Sequence, residues 1–558
     1  GNPMNAIVYF KRKAHYVNPE ERECYTCGNV KTEQPLRILE ARMVDPYGKL
    51  IRKRKVSAEE WYKQYCDEFE ASFDWKYKER MQKEKLPPNL YNIPGRWEQF
   101  KTYLLRDALK KLKDSQYLLI NTLEVPILAL LLSFATRYLN NLGEYSYFSN
   151  SNIPTYLFMC VVVAIFVGLN VSAEEMIKDR KLLMREKFLN LSRSAYLNSK
   201  IFNLMVIAAL QSLCLVLIGN AVLGIDNMWI GYWAILFSTF VNAILLGLNI
   251  SSGLNSAVSI YISIPLILVP QLIFSGTMVS FDKLHPSISH REFVPHTGDV
   301  MVSRWAYEAL AVYQFKDNDY ETYFFDAEQK RSEASYATSA WIPELRKLND
   351  HCEELRQNNN PELRQASVLL FTEMSKLAST RLKKYPKLLQ KVLSPTYDAS
   401  SYDFVNLQLE IQKERYSAQF EAYNQRLDSI SSALAQDLGG TDALIAMKKR
   451  FTNDALNILA LNKHDYTPIT IYPDLMVRKK QPIYNIPENH WGRAHFYAPY
   501  KRLAQFQIPT PVYNVVYIWF VSAVLYIALY FDILRRIISY IESIKKLKRN
   551  KRLQKLRG

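Results

Sequence analysis

The chain is 558 residues long, 22% of its residues are charged, and its formal net charge is +17. The charges are unevenly distributed, because Asp226 is the only formal charge between Lys200 and Asp282. A soluble protein has too much wetted surface to leave so long a stretch apolar, so a soluble globular protein is excluded and an integral membrane protein is predicted.

The N-terminal 96 residues are polar and precede every apolar stretch. Residues 36–65 predict a small strand-and-helix unit, and the proline-containing residues 82–98 predict a linker. Cys24 and Cys27 have the spacing of half a zinc knuckle. Because no second CxxC or HxxxH follows nearby, an ordinary turn is favoured, and the two cysteines are only weak metal candidates.

Residues 97–115 predict an amphipathic helix. Apolar side chains recur there at three- and four-residue spacing with Lys and Arg between them, beginning at Trp97, Phe100 and Tyr103. Such a helix lies in the membrane plane with its basic face toward the lipid headgroups. A soluble helix docked on a partner domain is the alternative, and the two interpretations are compatible.

Six stretches are long and apolar enough to cross a membrane. They are 116–137, 154–173, 201–223, 229–250, 257–279 and 512–534. The tail 535–558 holds ten Lys and Arg against one acid, whereas the links 138–153 and 224–228 hold no Lys or Arg. By the positive-inside rule both termini are predicted to be cytoplasmic, at the cell inner membrane, and residues 281–511 extracytoplasmic. The tail is therefore interpreted as a lipid-headgroup anchor, and nucleic-acid binding is not expected.

Residues 281–511 are more than a connector between the fifth and sixth stretches. Helical periodicity extends over 341–358, 362–392, 402–438 and 441–462. An irregular segment, 468–510, follows. The predicted fold is therefore an α-helical integral membrane protein with six transmembrane helices and a large, mostly helical extracytoplasmic domain between the fifth and the sixth.

A few polar side chains interrupt the apolar stretches. Glu124 lies about 12 Å into the first span, where a charge costs about 3 kcal/mol unless it faces a cavity or a partner. Together with Asn121 and Asn170 it is a candidate for lining a cavity, and a structural Glu that is protonated or bonded to another helix is an equally good interpretation. Interhelical hydrogen bonds are favoured over ligand contacts for the amides Asn170, Asn203, Gln211, Asn242 and Asn249.

The segment after the second span carries charges of both signs. Its predicted helix, which continues the span, holds Glu174, Asp179, Arg180, Arg185 and Glu186. A solvated loop that only obeys the positive-inside rule needs the bases but not the interleaved acids. A rigid lever whose charges pair with a moving partner is therefore favoured over such a loop.

This segment is similar to the link between the second and third spans of ABC transporters of the ABCG-like, ABC-2 type, whose pattern is approximately E-x-x-x-x-[ED]-[RK]-x-x-x-x-[RH]-E. Residues 273–279 resemble the I-F-S-G-x-x-V end of the family's fifth span, and residues 303–310 resemble the helix that follows it. Residues 1–10 resemble the stretch that closes the family's ATPase domain. The order of these elements matches the family, whereas residues 320–505 have no counterpart in it.

The resemblance implies the transmembrane half of a transporter whose ATPase domain lies upstream and is missing from this chain. ATP and Mg²⁺ would bind that domain, because this chain has no P-loop and no other enzymatic motif, and no cofactor is expected in it. The charged residues of a coupling helix, 174–190, would contact the ATPase domain, fused or separate. Phe274, Ser275, Gly276 and Met278 would form the outer gate.

The implied partners are the ATPase domain, a second transporter half that forms a homodimer, membrane lipids, and an envelope partner of the outer domain. The predicted domains are a cytoplasmic remnant, a connecting helix, spans one to five, the outer domain, span six and a basic tail, at 1–96, 97–115, 116–280, 281–511, 512–534 and 535–558. The favoured function is the permease part of an ATP-driven exporter of a lipidic or amphipathic substrate. The alternatives are an ABC-type mechanotransmission protein that acts on an envelope partner, and a membrane scaffold without transport.

Overall fold

The computed structural model describes residues 3–20, 33–44, 50–70, 94–139, 143–186, 191–377 and 397–555. The chain forms two compact units, residues 1–93 and residues 94–558. Cys24 and Cys27 lie outside the described residues. Within the described ranges no group of three or more His, Cys, Asp or Glu side chains is placed to hold a metal ion.

The first unit contains short helices and one hairpin. Its elements are α1 (Pro3–Lys13), α2 (Glu33–Glu40), β1 (Arg42–Val44), β2 (Leu50–Arg54) and α3 (Ala58–Tyr65), which a π-helical turn (Cys66–Glu70) extends. The two strands pair antiparallel. A capping box begins α3, because Ser57 and Glu60 each accept a hydrogen bond from the other's backbone N–H. These elements agree with the strand-and-helix unit predicted at 36–65.

The second unit begins with an amphipathic helix and continues into apolar helices that one charged helix interrupts. These are α4 (Arg96–Lys113), α5 (Ser115–Thr136), α6 (Ile153–Ser172), the charged α7 (Glu175–Glu186), α8 (Arg193–Leu223), α9 (Trp229–Gly253) and α10 (Ala257–Ile273). Side-chain caps fix two of the starts. Asp114 accepts from the backbone N–H of Tyr117 before α5, and Ser192 accepts from that of Ala195 before α8.

The described residues between 281 and 460 are mostly helical. After a 3₁₀ turn (Phe281–Lys283) come α11 (His296–Val300), α12 (Val302–Lys316), α13 (Glu321–Tyr336), α14 (Ile342–Gln357), α15 (Leu363–Leu377), α16 (Ala399–Leu438), α17 (Thr441–Phe451) and α18 (Asp454–Ala460). A π-helical turn (Ala337–Trp341) joins α13 to α14. The helix predicted at 362–392 is described only as far as Leu377.

The helix predicted over 441–462 is wrong in one respect, because the structure breaks it between Phe451 and Asp454. Asn453 sits at the break and caps α18 with its side-chain oxygen. Its amide nitrogen donates to the carbonyl oxygens of Tyr147 and Asn150, at 2.7 and 2.8 Å. These contacts with residues about 300 positions earlier favour the break, and local periodicity does not contain them.

The segment that returns to the membrane contains two hairpins and ends in two helices. The elements are β3 (Ile469–Ile471), β4 (Met476–Arg478), a 3₁₀ turn (Pro482–Tyr484), β5 (Tyr500–Leu503), β6 (Phe506–Pro509), α19 (Thr510–Tyr530) and α20 (Ile533–Lys555). Strands β3 and β4, and strands β5 and β6, pair antiparallel. The apolar α19 covers the sixth predicted span.

Five helical stretches of the described chain are long and apolar enough to span a membrane, and they contain α5, α6, α8, α9 and α19. The fifth predicted span, 257–279, is wrong at its end, because α10 stops at Ile273 and the chain turns at Gly276, where φ is positive. Helix α10 is apolar but only 17 residues long. The protein is therefore an α-helical membrane protein, and the six-span count remains a prediction. Pro126 is tolerated inside α5 because neighbouring groups can satisfy the freed backbone carbonyl.

Helices α6 and α9 form the centre of the membrane bundle. In their most apolar windows 72% and 83% of the residues are buried, against 22% for α5 and α19. The two helices approach closely at Gly168, where a Cβ atom would lie 2.7 Å from that of Ala243. Helices α5 and α19 therefore expose most of their apolar surface, as lipid-facing helices do.

Amide side chains join the helices of the bundle, as the sequence predicted. Gln211 of α8 donates to a carbonyl oxygen of α5 at 3.0 Å. Asn242 of α9 donates to the Ser522 hydroxyl of α19 at 2.9 Å, and Asn249 donates to the Leu525 carbonyl oxygen at 2.9 Å. The other two amides also bond between helices, since Asn203 of α8 donates to the Leu104 carbonyl oxygen of α4 at 3.1 Å and the Asn170 amide of α6 lies 3.4 Å from a Glu124 oxygen of α5. All five predicted amides therefore make interhelical contacts.

The bundle has two distinct ends. At the first, which we call the base end, Arg193 at the start of α8 pairs with Asp532 just after α19 at 2.7 Å. At the second, the far end, Asp226 between α8 and α9 pairs with Arg450 of α17 at 2.6 Å. The charged helices α7 and α20 therefore begin at the base end, and the domain between α10 and α19 lies at the far end.

Candidate functional site

Three helices meet at the base end around a buried lysine. Lys200, near the start of α8, has a side chain that is only 2% exposed. Its ammonium group contacts the carboxylates of Asp107 on α4, at 2.6 Å, and of Glu175 and Asp179 on α7, each at 2.7 Å. Lys111 of α4 contacts Asp107 and Glu175 at 2.8 and 3.0 Å. We call these five residues the junction cluster.

The charges around the junction cluster balance. Lys110, beside the cluster, contacts Asp179 at 2.9 Å, so three carboxylates face three ammonium groups. Burial alone would raise the pKa of Asp107, but the ammonium groups of Lys200 and Lys111 outweigh burial and hold the pKa below its ordinary range. Asp107 is therefore ionised at neutral pH and holds α4 against α8.

The predicted coupling residues do not all face outward. Asp179 belongs to the junction cluster and is buried against Lys200. Glu174 pairs with Lys178 at 2.7 Å and accepts a hydrogen bond from the Tyr261 hydroxyl of α10 at 2.9 Å. Helix α7 is therefore linked to α8 on one side and to α10 on the other.

Arg180 fastens α7 to the turn between α9 and α10. Its guanidinium donates to the carbonyl oxygens of Ser252 and Leu254, both at 3.0 Å. The backbone of α7 continues through Arg185 and Glu186, and the side chains of these two residues lie outside the described part of the structure.

Two of the three candidate cavity residues lie together. The side-chain nitrogen of Asn170 on α6 is 3.4 Å from a carboxylate oxygen of Glu124 on α5, a long hydrogen bond. The amide nitrogen of Asn121 instead donates within its own helix to the Tyr117 carbonyl oxygen, at 2.8 Å. The structure thus pairs Glu124 with Asn170 and leaves the Asn121 side chain bonded locally.

The segment predicted as the outer gate forms a tight turn directly after α10. The buried Ser275 hydroxyl donates to the Leu272 carbonyl oxygen at 2.7 Å and lies 2.6 Å from the Thr277 hydroxyl. Gly276 has a φ of +82°, and a Cβ atom there would lie 2.5 Å from the ring of Phe281. Only glycine fits this turn without strain.

The apolar members of the gate segment are less enclosed than Ser275. Phe274 is half-buried, and Met278 is 70% exposed. Within this single chain Met278 therefore blocks no passage. The structure brings all four predicted gate residues into one turn at the far end.

A cavity of about 340 Å³ adjoins this turn at the far end. Gly276, Thr277 and Met278 form part of its wall, and the domain between α10 and α19 supplies much of the rest. The lining mixes aromatic with charged side chains, including Phe158, Phe293, Phe496, Arg291, Glu292 and Arg478. Such a surface suits an amphipathic molecule better than a purely apolar one.

The neutral His495 also lines this cavity. Burial lowers the pKa of His495 to about 4, and one ring nitrogen lies 2.8 Å from the Pro482 carbonyl oxygen. A carbonyl oxygen can only accept, so this nitrogen carries the proton. The imidazole is therefore uncharged at neutral pH.

A second buried ion pair joins α12 to the returning segment. Lys501 of β5 contacts Glu308 of α12 at 2.7 Å, and both side chains are fully buried. Asn514 of α19 donates to the same carboxylate at 2.9 Å. Burial alone would raise the pKa of Glu308, but Arg304 and Lys501 outweigh it and lower the pKa. The carboxylate is therefore ionised, and it connects α12, β5 and α19.

Sequence reasoning missed both buried lysines. The charge pattern marks Lys200 only as the edge of the uncharged stretch and does not single out Lys501. One signal was available at the first site: Asp107 is an acid within a run of Lys and Arg on an amphipathic helix. No comparable signal marks Lys501, which lies 193 residues from its partner.

Residues 98–315 match the family model described as ABC-2 type transporter. This region is an ABC-2 type transporter membrane domain. No curated protein matches the chain significantly.

The ABC-2 membrane domain runs from α4 to the last turn of α12, and α13 to α20 lie beyond the match. It contains the junction cluster, the gate turn and the Glu308 end of the second buried ion pair. The chain therefore provides a membrane component of an ABC transporter and is a multi-pass membrane protein. The resemblance predicted from the link after the second span is confirmed at the level of the ABC-2 family.

Proposed function

We propose that this chain is the permease part of an ATP-driven exporter, and that a lipidic or amphipathic substrate leaves past the turn at Gly276. The observation that carries the proposal is that this turn borders a far-end cavity of about 340 Å³ with mixed aromatic and charged lining. A substrate with an apolar body and a polar group matches such a lining.

An ATPase domain, upstream in the same protein or separate, supplies the energy, and ATP and Mg²⁺ bind there. The base end then faces the cytoplasm at the inner membrane, because the basic tail and the charged helix α7 begin there. A second copy of the chain completes the central cavity as a homodimer. The protein is assigned to the ABCG-like subfamily, because the order of its sequence elements matches that subfamily.

Helix α7 transmits movement from the ATPase to the spans. It can do so because the junction cluster joins α7 to α4 and α8, while Arg180 joins it to the turn between α9 and α10. A push on α7 therefore moves several spans together. Glu174, Arg180, Arg185 and Glu186 are the charges proposed for contact with the ATPase, and the buried Asp179 positions the helix.

The experiment uses proteoliposomes that contain the chain together with its ATPase and a fluorescent phospholipid analogue. Ser275→Trp places a bulky side chain in the buried position of the gate turn. ATP-dependent release of the analogue should fall at least tenfold, while ATP hydrolysis continues. Ser149→Trp is the matched control, because Ser149 is exposed in the far-end link between α5 and α6.

A second variant tests the coupling step. Glu174→Ala removes a half-exposed ion pair, worth about 0–1 kcal/mol, and the hydrogen bond from Tyr261, worth about 0.5–1.5 kcal/mol, so the fold should remain intact. It should uncouple ATP hydrolysis from release of the analogue. Release that persists in Ser275→Trp would show that the exit route is wrong, and unchanged coupling in Glu174→Ala would remove α7 from the mechanism.

A mechanotransmission role is the second candidate, because one observation favours it. The buried contact of Lys501 with Glu308 fixes β5, on the segment that returns to the membrane, to α12, which lies within the ABC-2 membrane domain. Movement of the spans would therefore move the outer domain, which in turn acts on its envelope partner. Under this role, Ser275→Trp would leave function intact, and Lys501→Met would abolish it.

A further inference from the structure

A groove of about 620 Å³ lies at the base end, away from the gate turn. Its walls are the start of α4, the first turns of α8 and the last turns of α19. The lining residues that matter here are Arg96, Trp97, Asn198, Phe202, Met205 and Tyr526. We call this the base groove.

The base groove changes in polarity along α8. Ser194 and Asn198 lie on the part near the base end, and Ile201, Phe202 and Met205 follow. From Ser194 to Met205 the helix rises about 16 Å, at 1.5 Å per residue. A polar entrance followed by an apolar run of this length matches the headgroup and the upper acyl chain of a phospholipid.

The entrance carries positive charge. Arg96 is exposed at the first position of α4, and the ammonium group of Lys101 lies 5.6 Å from the centre of the Trp97 ring. The Tyr526 hydroxyl donates to the side-chain oxygen of Asn198 at 2.7 Å and holds two walls together. An anionic headgroup therefore finds a cation at the level where the spans leave the membrane.

Aromatic rings form the floor of the base groove. Trp97, which is 65% exposed, stacks on Phe100 with ring centres 5.2 Å apart. Phe100 meets Phe202 edge to face at 6.4 Å. Exposed tryptophan on an amphipathic helix at the membrane surface is typical of the lipid interface.

We infer that the base groove binds one phospholipid with an anionic headgroup, its phosphate at Arg96 and an acyl chain against Phe202 and Met205. The occupant is a lipid rather than a protein segment, because α8 and α19 are membrane spans and lipid surrounds this surface. The bound lipid contacts α4, α8 and α19 and stabilises their packing. This site is distinct from the gate and from the basic tail, and it does not depend on the proposed export function.

Tryptophan quenching tests the inference on the full chain purified in detergent. Phosphatidylglycerol and phosphatidylcholine, each with brominated acyl chains, are added in turn. The signal of Trp97 is the difference between the wild type and Trp97→Phe. Phosphatidylglycerol should quench this signal at a concentration about fivefold lower than phosphatidylcholine, as expected for one ionic contact near the headgroups.

Two substitutions on α4 distinguish binding at the base groove from a general attraction of anionic lipid to positive charge. Arg96→Gln should remove the fivefold preference, whereas Lys113→Gln should keep it, because Lys113 is equally exposed but does not line the base groove. Phe202→Ala should weaken quenching by both lipids. The inference fails if neither lipid quenches Trp97, if both quench it equally in the wild type, or if the two α4 variants behave alike.

Discussion

The junction cluster allows a sharp test, because one substitution leaves its charges unbalanced. Lys200→Met removes the ammonium group that contacts three carboxylates at 2.6–2.7 Å in a site that is 2% exposed. Three carboxylates then face only Lys110 and Lys111. Breaking a buried ion pair by removing one partner costs about 3–5 kcal/mol, because an uncompensated charge remains buried.

The matched control is Lys178→Met. Lys178 also pairs with a carboxylate at 2.7 Å, but its side chain is 58% exposed. Exposed pairs of this kind contribute about 0–1 kcal/mol. The two variants therefore remove the same side chain and differ in burial.

The assay heats the detergent-purified chain and measures the monodisperse fraction that remains by size-exclusion chromatography. For Lys200→Met the monodisperse fraction should disappear at a temperature several degrees lower than for the wild type or Lys178→Met. Adding Asp107→Asn restores the charge balance and should recover about 1–3 kcal/mol of the loss. Equal melting of the two lysine variants, or a further loss in the double variant, would refute the role assigned to the cluster.

Three further predictions concern the far end. Gly276→Ala should destabilise the chain by more than Gly143→Ala, because both positions have positive φ but only a Cβ atom at Gly276 would contact a ring. The left-handed conformation alone costs about 1–2 kcal/mol in each variant. The difference between the melting temperatures of the two variants measures the added effect of the ring contact. Burial raises the pKa of Glu321 to about 8, so the folded state keeps a proton that the unfolded state releases. The stability this group contributes is present below the ordinary Glu pKa and is lost as pH rises toward 8, so the melting temperature should fall over that range and Glu321→Gln should flatten the fall. Lys501→Met should cost about 3–5 kcal/mol and make the segment before α19 cleavable by protease, and an unchanged digestion pattern would contradict the structural role of this buried lysine.

Much of the helical architecture could be predicted from the sequence. The predicted spans coincide with apolar helices because the length of an uncharged run is a local property that the membrane thickness fixes. The amphipathic helix starting near Trp97 follows for the same kind of reason, since its periodicity lies within a few turns. The turn at Gly276 was not predicted from the apolar pattern, because the fifth span was expected to continue to residue 279, whereas α10 ends at Ile273 and Gly276 has a φ of +82°. The gate residues themselves followed only from the family resemblance.

The candidate site was only partly predictable. The charged residues of α7 were recognised, but their direction was not, and Asp179 proved to be buried against Lys200. The helix expected over 441–462 breaks because Asn453 bonds to carbonyl oxygens between α5 and α6. Such contacts join residues far apart in the chain, and a single sequence does not show which distant residues come into contact.

The sequence by itself determined that the chain enters the membrane, where its apolar helices lie and which segment carries the lever charges. These follow from hydropathy, periodicity and charge placement along the chain. Only the tertiary structure decided which charges are buried together, because Lys200 and Asp107 are 93 residues apart and meet through helix packing. Removal from water and mutual attraction, which convert scattered charges into a rigid joint, exist only after the helices have come together.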